Sequence, residues 1–425
     1  MIHFDVWIVL PDGGTALAGE LVCGDADSAG RYQSEFEYAA GWLESPAFPL
    51  DPISLPLRSG PFQANKLEPP LSVFEDALPD DWGRQVIIRS LQLPRAQQGE
   101  PHLLREMAKH GLALGALRFS EHGGRGPRQV LRNQFDLSEL IEAAARFEAG
   151  EDDRGHGGSR RLAELRPLFF AGSSLGGARP KAAFSDRTED WVAKFPSKRD
   201  GRFDVVGLEA TGLTLAKAAG IQVPDHRIIP LGKFGRALLV RRFDVLPVSG
   251  RAHMVSLHTL CLERPGMHAL GYRELALAIR KVSISPAEDL RQLFGQMVFN
   301  AAYGNVDDHL KNFWMIRGAA GFRLSPAFDL VPDVGHRLEH TLAFLHSYST
   351  PSRADVLEIA RQWGVHDAPR IVDAVTNSVR NFPEVASGHG VPDENIAELG
   401  GGIERRLALL GSDGRSVNEW QDGET

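Results

Sequence analysis

The sequence predicts an α+β chain of two lobes, β-rich first and α-dominated after, on three observations. The opening residues alternate in polarity as strands do. A glycine-rich turn between strand-like runs follows in the middle of the chain. Beyond about residue 255, the apolar residues recur at helical spacing. At 425 residues, with 43% hydrophobic and 24% charged side chains, the chain has the balance of ordinary globular domains, and its length suggests two or three packed units.

IHFDVWIVL places Phe4, Val6 and Ile8 on one face, PDGG turns, and TALAGELV returns as a second strand. FEYAAGWLESPAFPLDPISLPL mixes prolines with bulky residues and predicts short strands and turns on a core. VFEDALPDDWGRQVIIRSL predicts one helix with an acidic first turn, favoured at the positive end of the helix dipole. Two polar, glycine-bearing stretches, residues 121–134 and 148–161, flank the short amphipathic helix FDLSELIEAAARF. They divide an N-terminal unit from the rest. The expected organisation is an N-terminal subdomain over 1–120, a linker with a short helix over 121–161, a β-rich core over 162–245 and a helical lobe over 246–425.

LFFAGSSLGGARPKAAFS reads as strand, glycine turn, strand, and WVAKFP as the next strand. FDVVGLEATGLTLAKAAG is a helix closed by Gly220, and HRIIPL with RALLVRRF forms a hairpin-like pair. GYRELALAIRKV, PAEDLRQLFGQMVFNAAYG, DVLEIARQWG and PRIVDAVTNSVRNF are helices.

A net charge of −8 argues against nucleic-acid binding by bulk electrostatics. Cys23 and Cys261 have neither disulfide-framework nor metal-site spacing, which fits a reducing compartment. No cationic segment precedes an apolar core at the N-terminus, and no run of about eighteen apolar residues occurs. The expectation is a soluble, cytoplasmic protein.

The chemistry concentrates in GNVDDHLKNFWMI, residues 304–316, where a helix stops and a strand starts. The predicted hairpin FWMI–RGAAG–FRLSPAFD returns Asp329 towards Asp307 and Asn312. Carboxylate and carboxamide oxygens suit Mg²⁺, which takes few protein ligands and keeps positions for water and phosphate. GSSLGGARPK supplies a turn whose backbone N–H groups can approach an anion. Lys194 lies on the following strand among apolar neighbours, and Glu209 lies on the helix after it. Each signal is weak alone. In chain order (Gly loop, strand Lys, helix Glu, strand pair, helices, Asp-x4-Asn, hairpin, Asp) they have the order of a protein kinase. Ordinary readings compete: Asp307 and Asn312 as turn residues, Arg241 and Arg242 as ion-paired, Trp191 and Trp314 as core, and His309 as a structural residue fixing its loop.

The chain resembles the HipA kinases, toxin halves of bacterial toxin–antitoxin pairs. FEYAAGWL, PISLPL and LPDDWGR look like that family's N-terminal signature, SLGGARPK like its serine-bearing Gly loop and VAKFP like its ATP-lysine segment. LLVRRFD looks like its hinge, and DDHLKNF with PAFDLVP like its catalytic and metal motifs. Lys311 follows Asp307 by four residues, where ordinary kinases have lysine two after the base. The resemblance implies a bilobal protein-kinase-like fold with an extra N-terminal subdomain, using ATP and Mg²⁺. It implies Asp307 as catalytic base, Asn312 and Asp329 as metal holders, and Lys194 on the ATP phosphates, with Glu209 as its partner. The loop Gly176, Gly177, Ala178, Arg179, Pro180 and Lys181 covers the triphosphate. Arg241, Arg242 and Phe243 line the adenine side, and His309 and Lys311 join the nucleotide-site residues. Ser174, or adjacent Ser173, matches the autophosphorylated serine. The implied substrate is a serine of an aminoacyl-tRNA synthetase. The implied partner is a helix-turn-helix antitoxin of HipB type, through which DNA contact is mainly indirect. Asp308 replaces a glycine common in the family and is expected to crowd the metal or offer it a second ligand. Two other functions fit the sequence: a small-molecule or lipid kinase on the same scaffold, and a catalytically silent partner of a DNA-binding antitoxin acting as co-repressor.

Overall fold

A computed structural model of the protein describes residues 1–27, 31–45, 47–65, 71–110, 114–124, 126–127, 136–150, 179–261, 270–335 and 337–411. The chain divides into two compact units, each discontinuous in sequence. Unit 1 is Met1–Gly201, Pro224–Met267 and Lys311–Ser325; unit 2 is Arg202–Val223, His268–Leu310 and Pro326–Thr425.

Unit 1 holds the described sheets. Its first sheet is built from β1 (Ile2–Val9), β2 (Thr15–Cys23), β3 (Ser34–Tyr38), β4 (Phe62–Ala64) and β5 (Leu117–Glu121), in the antiparallel order β4-β3-β2-β1-β5. The predicted alternation holds: Phe4, Val6 and Ile8 are buried while His3 and Asp5 turn to the other face. The register slips between Val6 and Trp7, so that Val6 opposes Gly19 and Trp7 opposes Leu17. A side chain at Gly19 could not fit there: its Cβ would stand 2.2 Å from the Glu37 carbonyl oxygen.

The N-terminal signature residues pack this unit. The Tyr38 hydroxyl donates to the Leu55 carbonyl at 2.7 Å and accepts from the Leu50 amide at 2.9 Å. Trp42, in α1 (Ala40–Glu44), donates its indole N–H to the Phe48 carbonyl. The expected single helix over 73–91 is two pieces, a 3₁₀ turn at Glu75–Ala77 and α2 (Asp81–Ser90). Pro79 and Asp80 interrupt it, because Leu78 before the proline is extended and the Asp80 carboxylate caps α2 at the Gly83 amide. The helices α3 (Glu100–His110) and α4 (Leu137–Ala149) follow, the latter closed by Gly150 in the left-handed conformation.

The second sheet takes β6 (Lys181–Ser185), β7 (Asp190–Lys194), β8 (His226–Pro230) and β9 (Arg236–Arg241) in antiparallel order β6-β7-β9-β8. The predicted hairpin-like pair over 226–243 is therefore present as β8 and β9. The third sheet joins β10 (His253–Ser256), β11 (Trp314–Arg317) and β12 (Phe322–Leu324). Its β11–β12 hairpin is the one expected after GNVDDHLKN.

Unit 2 is helical. It comprises α5 (Val205–Ala218), α6 (Tyr272–Val282), α7 (Pro286–Tyr303), α8 (Arg353–Trp363), α9 (Ala368–Arg380), α10 (Phe382–Gly388) and α11 (Asp393–Gly411). Helix α7 is buried on nearly every side from Leu293 to Tyr303, which makes it the axis of this unit. No described helix is long and apolar enough to cross a membrane.

Two buried carboxylates tie the N-terminal subdomain to the rest of unit 1. Asp80 meets the Lys181 ammonium at 2.6 Å, and the lysine side chain is only 2% exposed. Asp76 accepts from the Ser256 amide at 2.8 Å, the Ser256 hydroxyl at 2.7 Å and the Thr259 hydroxyl at 2.9 Å. Burial outweighs these donors and raises the Asp76 carboxyl to about 6.

Both ties are open to measurement. Asp80→Asn keeps the helix cap but removes the nearest countercharge from a buried ammonium, and a loss of about 3 kcal/mol in unfolding free energy is expected. An unchanged denaturation midpoint would contradict the assigned ion pair. The folded-state value of Asp76 lies above its ordinary one, so the folded protein binds the proton more tightly. Through this group, stability is greatest below about pH 4 and falls by roughly 3 kcal/mol as pH rises past 6. Asp76→Asn flattens that part of the profile, to be read by urea titrations at pH 4.5 and 6.5.

Candidate functional site

Helix α7 ends at Gly304, whose φ of +76° is the left-handed stop that glycine adopts without strain. The chain then runs through Asn305 and Val306 into two aspartates with opposite environments. The Asp307 side chain is 59% exposed, with an Arg337 nitrogen 3.8 Å away. The Asp308 side chain is fully buried. Its carboxylate receives the Tyr272 hydroxyl at 2.7 Å, His340 Nδ1 at 3.1 Å and the amides of Thr341 and Leu342 at 2.8 and 3.3 Å. Four donors on one carboxylate hold it in place, so Asp308 is an anchor. The expectation that it crowds a metal or ligates it is corrected: its oxygens are turned inward and engaged.

The anchor extends by hydrogen bonds. The Tyr272 hydroxyl accepts from Asn300 Nδ2 at 3.0 Å, and Asn300 Oδ1 accepts from Asn305 Nδ2 at 3.1 Å. The same Asn305 nitrogen lies 3.3 Å from the backbone carbonyl of Asp329. Burial, followed by the negative charge of Asp308, pushes the Tyr272 phenol well above its ordinary value, so it remains a donor. The loop with Asp307 and the segment with Asp329 are thereby fixed to one another. Two backbone bonds add to this: Asp333 N–H to the Gly304 carbonyl at 2.9 Å, and Thr341 N–H to the Val306 carbonyl at 3.0 Å.

Asp329 has a φ of +57°, a left-handed conformation costly for a residue with a side chain. Helix α5 packs against the next residue: a Cβ on Gly212 would stand 2.2 Å from the Leu330 carbonyl oxygen. Glycine is required for that approach. Glu209, three residues earlier on the same helix, is buried. Burial first, and then the Glu209 charge, raises the Tyr303 phenol, whose hydroxyl donates to the Leu208 carbonyl at 2.8 Å.

The other expected residues belong to unit 1. Lys194 is buried at the end of β7, opposite Lys181 on one side and Leu238 on the other, with Val192, Ala193 and Phe195 buried around it. The half-buried strand expected around Lys194 is therefore present. Lys181 is also buried, and its ammonium is held by Asp80, which ties β6 to the start of α2. Arg179 pairs with Asp200 at 2.7 Å. Arg241 pairs with Glu189 at 2.8 Å, and Arg242 grips Asp244 through two bonds of 2.9 and 2.6 Å, as the ion-paired reading expected. Burial acts to raise the Asp244 carboxyl, yet the Arg242 guanidinium overcomes it and holds the group at about 2. The Arg242 guanidinium is thus paired inside unit 1, and Phe243 beside it is half-buried.

Asn312 is buried and Lys311 exposed in a 3₁₀ turn at Leu310–Asn312. The Lys311 carbonyl accepts from the Trp314 indole at 2.8 Å, and Ser325 N–H bonds the Trp314 carbonyl. Trp191 and Trp314 are core residues, as expected. The chain passes from unit 2 to unit 1 after Leu310, inside DDHLKNF, and back after Ser325, just before PAFDLVP. His309 is half-buried, and the buried histidine bonded to this loop is His340. Ser173, Ser174, Gly176, Gly177 and Ala178 lie outside the described residues. Sequence reasoning missed Asp80, Tyr272, Asn300, Asn305, Gly212 and His340. Asp80, inside LPDDWGR, and Asn305, inside GNVDDHLKNFWMI, stood in motifs that could have flagged them.

Comparisons with known proteins agree with this arrangement. Residues 15–120 match the family model described as HipA N-terminal domain, and residues 173–383 that described as HipA-like C-terminal domain. The Sinorhizobium fredii protein named "Putative kinase Y4mE" is 26% identical over 341 residues, covering 71% of this chain and 72% of its own. A second from that organism, "Putative kinase Y4dM", is 28% identical over 160 residues, covering 34% of this chain and 37% of its own. HipA of Shewanella oneidensis MR-1, solved in a complex with HipB and its operator DNA, superposes with a TM-score of 0.66 at 20% identity, covering 96% of each chain. With both domain models matched and the fold shared along almost the whole chain, this protein belongs to the HipA family and has its α+β, kinase-like fold.

Proposed function

We propose that the protein is an ATP- and Mg²⁺-dependent serine/threonine protein kinase of the HipA toxin type, with Asp307 as its catalytic base. The observation that carries the reading is the contrast between adjacent carboxylates. Asp308 is buried on four donors while Asp307 is held exposed on the same loop, with the Asp329 backbone joined to it through Asn305. An exposed, positioned carboxylate can accept a hydroxyl proton at the moment of transfer.

The donor chemistry of Asp329 and Asn312, a carboxylate and a carboxamide oxygen, fits a hard divalent cation, and these two residues would hold Mg²⁺. Bound there, the ion would neutralise charge on the transferring phosphoryl group. Lys194 is a buried cation suited to nucleotide phosphates. The strained backbone at Asp329 is what a site that must aim a carboxylate tolerates.

The finer proposals rest on the family resemblance. The acceptor is a serine of an aminoacyl-tRNA synthetase, and the Gly loop carries the autophosphorylated Ser174 or Ser173. A dianion there would repel the triphosphate and limit the enzyme's own activity. The partner is a HipB-type DNA-binding antitoxin, by analogy with the Shewanella complex. The silent-partner reading rested on Asp308 crowding the metal, and the burial of that side chain weighs against it.

The primary test follows the intact mass of the purified chain with ATP and Mg²⁺, alongside Asp307→Ala, after checking whether the protein arrives already phosphorylated. Phosphate gained by wild type and absent from the variant supports the reading. A chain that arrives bare, binds Mg-ATP poorly and stays bare opposes it. Phosphate passed to a metabolite and not to protein would favour the small-molecule kinase. In steady state, Asp307→Asn should lower kcat by about 10²–10⁴-fold while ATP affinity changes only a few-fold. Parental turnover would sink the assignment. Asp308→Asn removes the anchor's charge without touching the reacting atoms. It should lower kcat about tenfold or more with KM for ATP nearly unchanged, together with a lower melting temperature. A stability loss with kcat intact would make Asp308 purely structural.

A further inference from the structure

The outer face of the first sheet carries a second cluster of ligating side chains, far along the sequence from the kinase motifs. On β1, His3 and Asp5 point away from the buried face formed by Phe4, Val6 and Ile8. Glu20 on β2 is the cross-strand partner of Asp5. His122 immediately follows β5, and its amide bonds the His3 carbonyl at 3.1 Å. Three strands thus deliver two imidazoles and two carboxylates to one place.

The geometry there is convergent. The His3 and His122 rings stack nearly parallel, 7° apart, with centroids at 3.8 Å. His3 Nε2 lies 3.2 Å from Glu20 Oε2, and His122 Nδ1 lies 3.9 Å from the same oxygen. His122 Nδ1 is also 2.8 Å from Asp5 Oδ1. Donor atoms of His3, Glu20 and His122 all fall within 4.8 Å of one another. Ligands of a tetrahedral ion at 2.0–2.2 Å stand about 3.4 Å apart, close to the separations here, and rotation of the two stacked rings out of parallel would aim both lone pairs at one ion.

We propose that His3, Glu20, His122 and Asp5 form a binding site for a borderline divalent cation of the Zn²⁺ class, bolting β1 and β2 to the end of β5. Two neutral imidazoles and two carboxylates balance the ion's charge. The nitrogen ligands select against Mg²⁺, whose preference is for oxygen. Asp5 belongs to the set for a chemical reason. In a metal-free site, a His122 Nδ1–H donates to Asp5 Oδ1. Once that nitrogen turns its lone pair to a cation, the same oxygen, 2.8 Å away, faces the cation too and becomes the fourth donor. Asp5 Oδ2 stays on the Gly123 amide at 3.1 Å, which holds the carboxylate in orientation.

The test uses the full chain without a histidine tag, titrated calorimetrically with Zn²⁺ in the absence of nucleotide, beside Glu20→Gln, His3→Ala and His122→Ala. Wild type should take up one equivalent through this cluster, and each variant should bind it at least about tenfold more weakly. Millimolar Mg²⁺ should not compete. Co²⁺ in place of Zn²⁺ should give the visible absorption of a four-coordinate site, lost in His122→Ala. Glu20→Gln preserves shape and is the decisive variant should either histidine change unfold the chain. Saturable uptake whose affinity is unchanged in all three variants, or no saturable uptake by wild type, overturns the proposal.

Discussion

A carboxylate without access to water persists only where enough donors surround it, and unit 2 is organised around meeting that demand at Asp308. The donors come from two segments, Tyr272 at the start of α6 and His340 with the following amides, and they meet on the loop that carries Asp308. Because each donor is directional, satisfying the carboxylate fixes these segments against one another. The exposed position of Asp307 follows from the same constraint. With Asp308 turned inward and bonded, the preceding residue is turned outward, and a carboxylate is presented on a support that cannot rotate.

The same logic explains why Asp329 can hold an unfavourable backbone conformation. Its carbonyl is engaged by Asn305, its successor Leu330 is pressed by α5 at Gly212, and the Asp333 amide is bonded to Gly304. A strained residue survives when its surroundings over-determine it. Gly304 and Gly212 contribute differently to this. One supplies a backbone conformation; the other supplies the absence of a side chain.

How much of this could be read from the sequence depended on whether the signal was local. Strand alternation at Phe4, Val6 and Ile8 and the helical period of α7 were legible because burial imposes a repeat along the chain. So were the hairpin after residue 313 and the stop at Gly304. The predicted single helix over 73–91 failed where Pro79 and the capping carboxylate of Asp80 outweighed helix-forming neighbours on both sides. In the candidate site, Asp307, Asn312, Asp329 and Lys194 stood in motifs, but the function of their neighbours did not. Asp308 looked like a possible metal ligand because a sequence gives a carboxylate's identity and not the side to which it turns. The pairing of Lys181 was not legible because its partner, Asp80, lies about a hundred residues earlier.

That last case bears on the N-terminal signature as a whole. Tyr38, Trp42 and Asp80 make hydrogen bonds and an ion pair to buried groups, and none of the three is an exposed recognition residue. Asp76 and Asp80 reach Ser256, Thr259 and Lys181, all outside the first 120 residues. A buried ion pair between segments so distant in sequence adds little net stability over an apolar contact, but breaking one partner is costly, so it fixes which surfaces pair. Lys181 is the first residue of β6 and directly follows the Gly loop, and β6 lies in register against β7 with Lys181 opposite Lys194. The signature therefore acts on the kinase core through position: β6, and β7 that carries Lys194 beside it, are set in part by a carboxylate of the N-terminal subdomain.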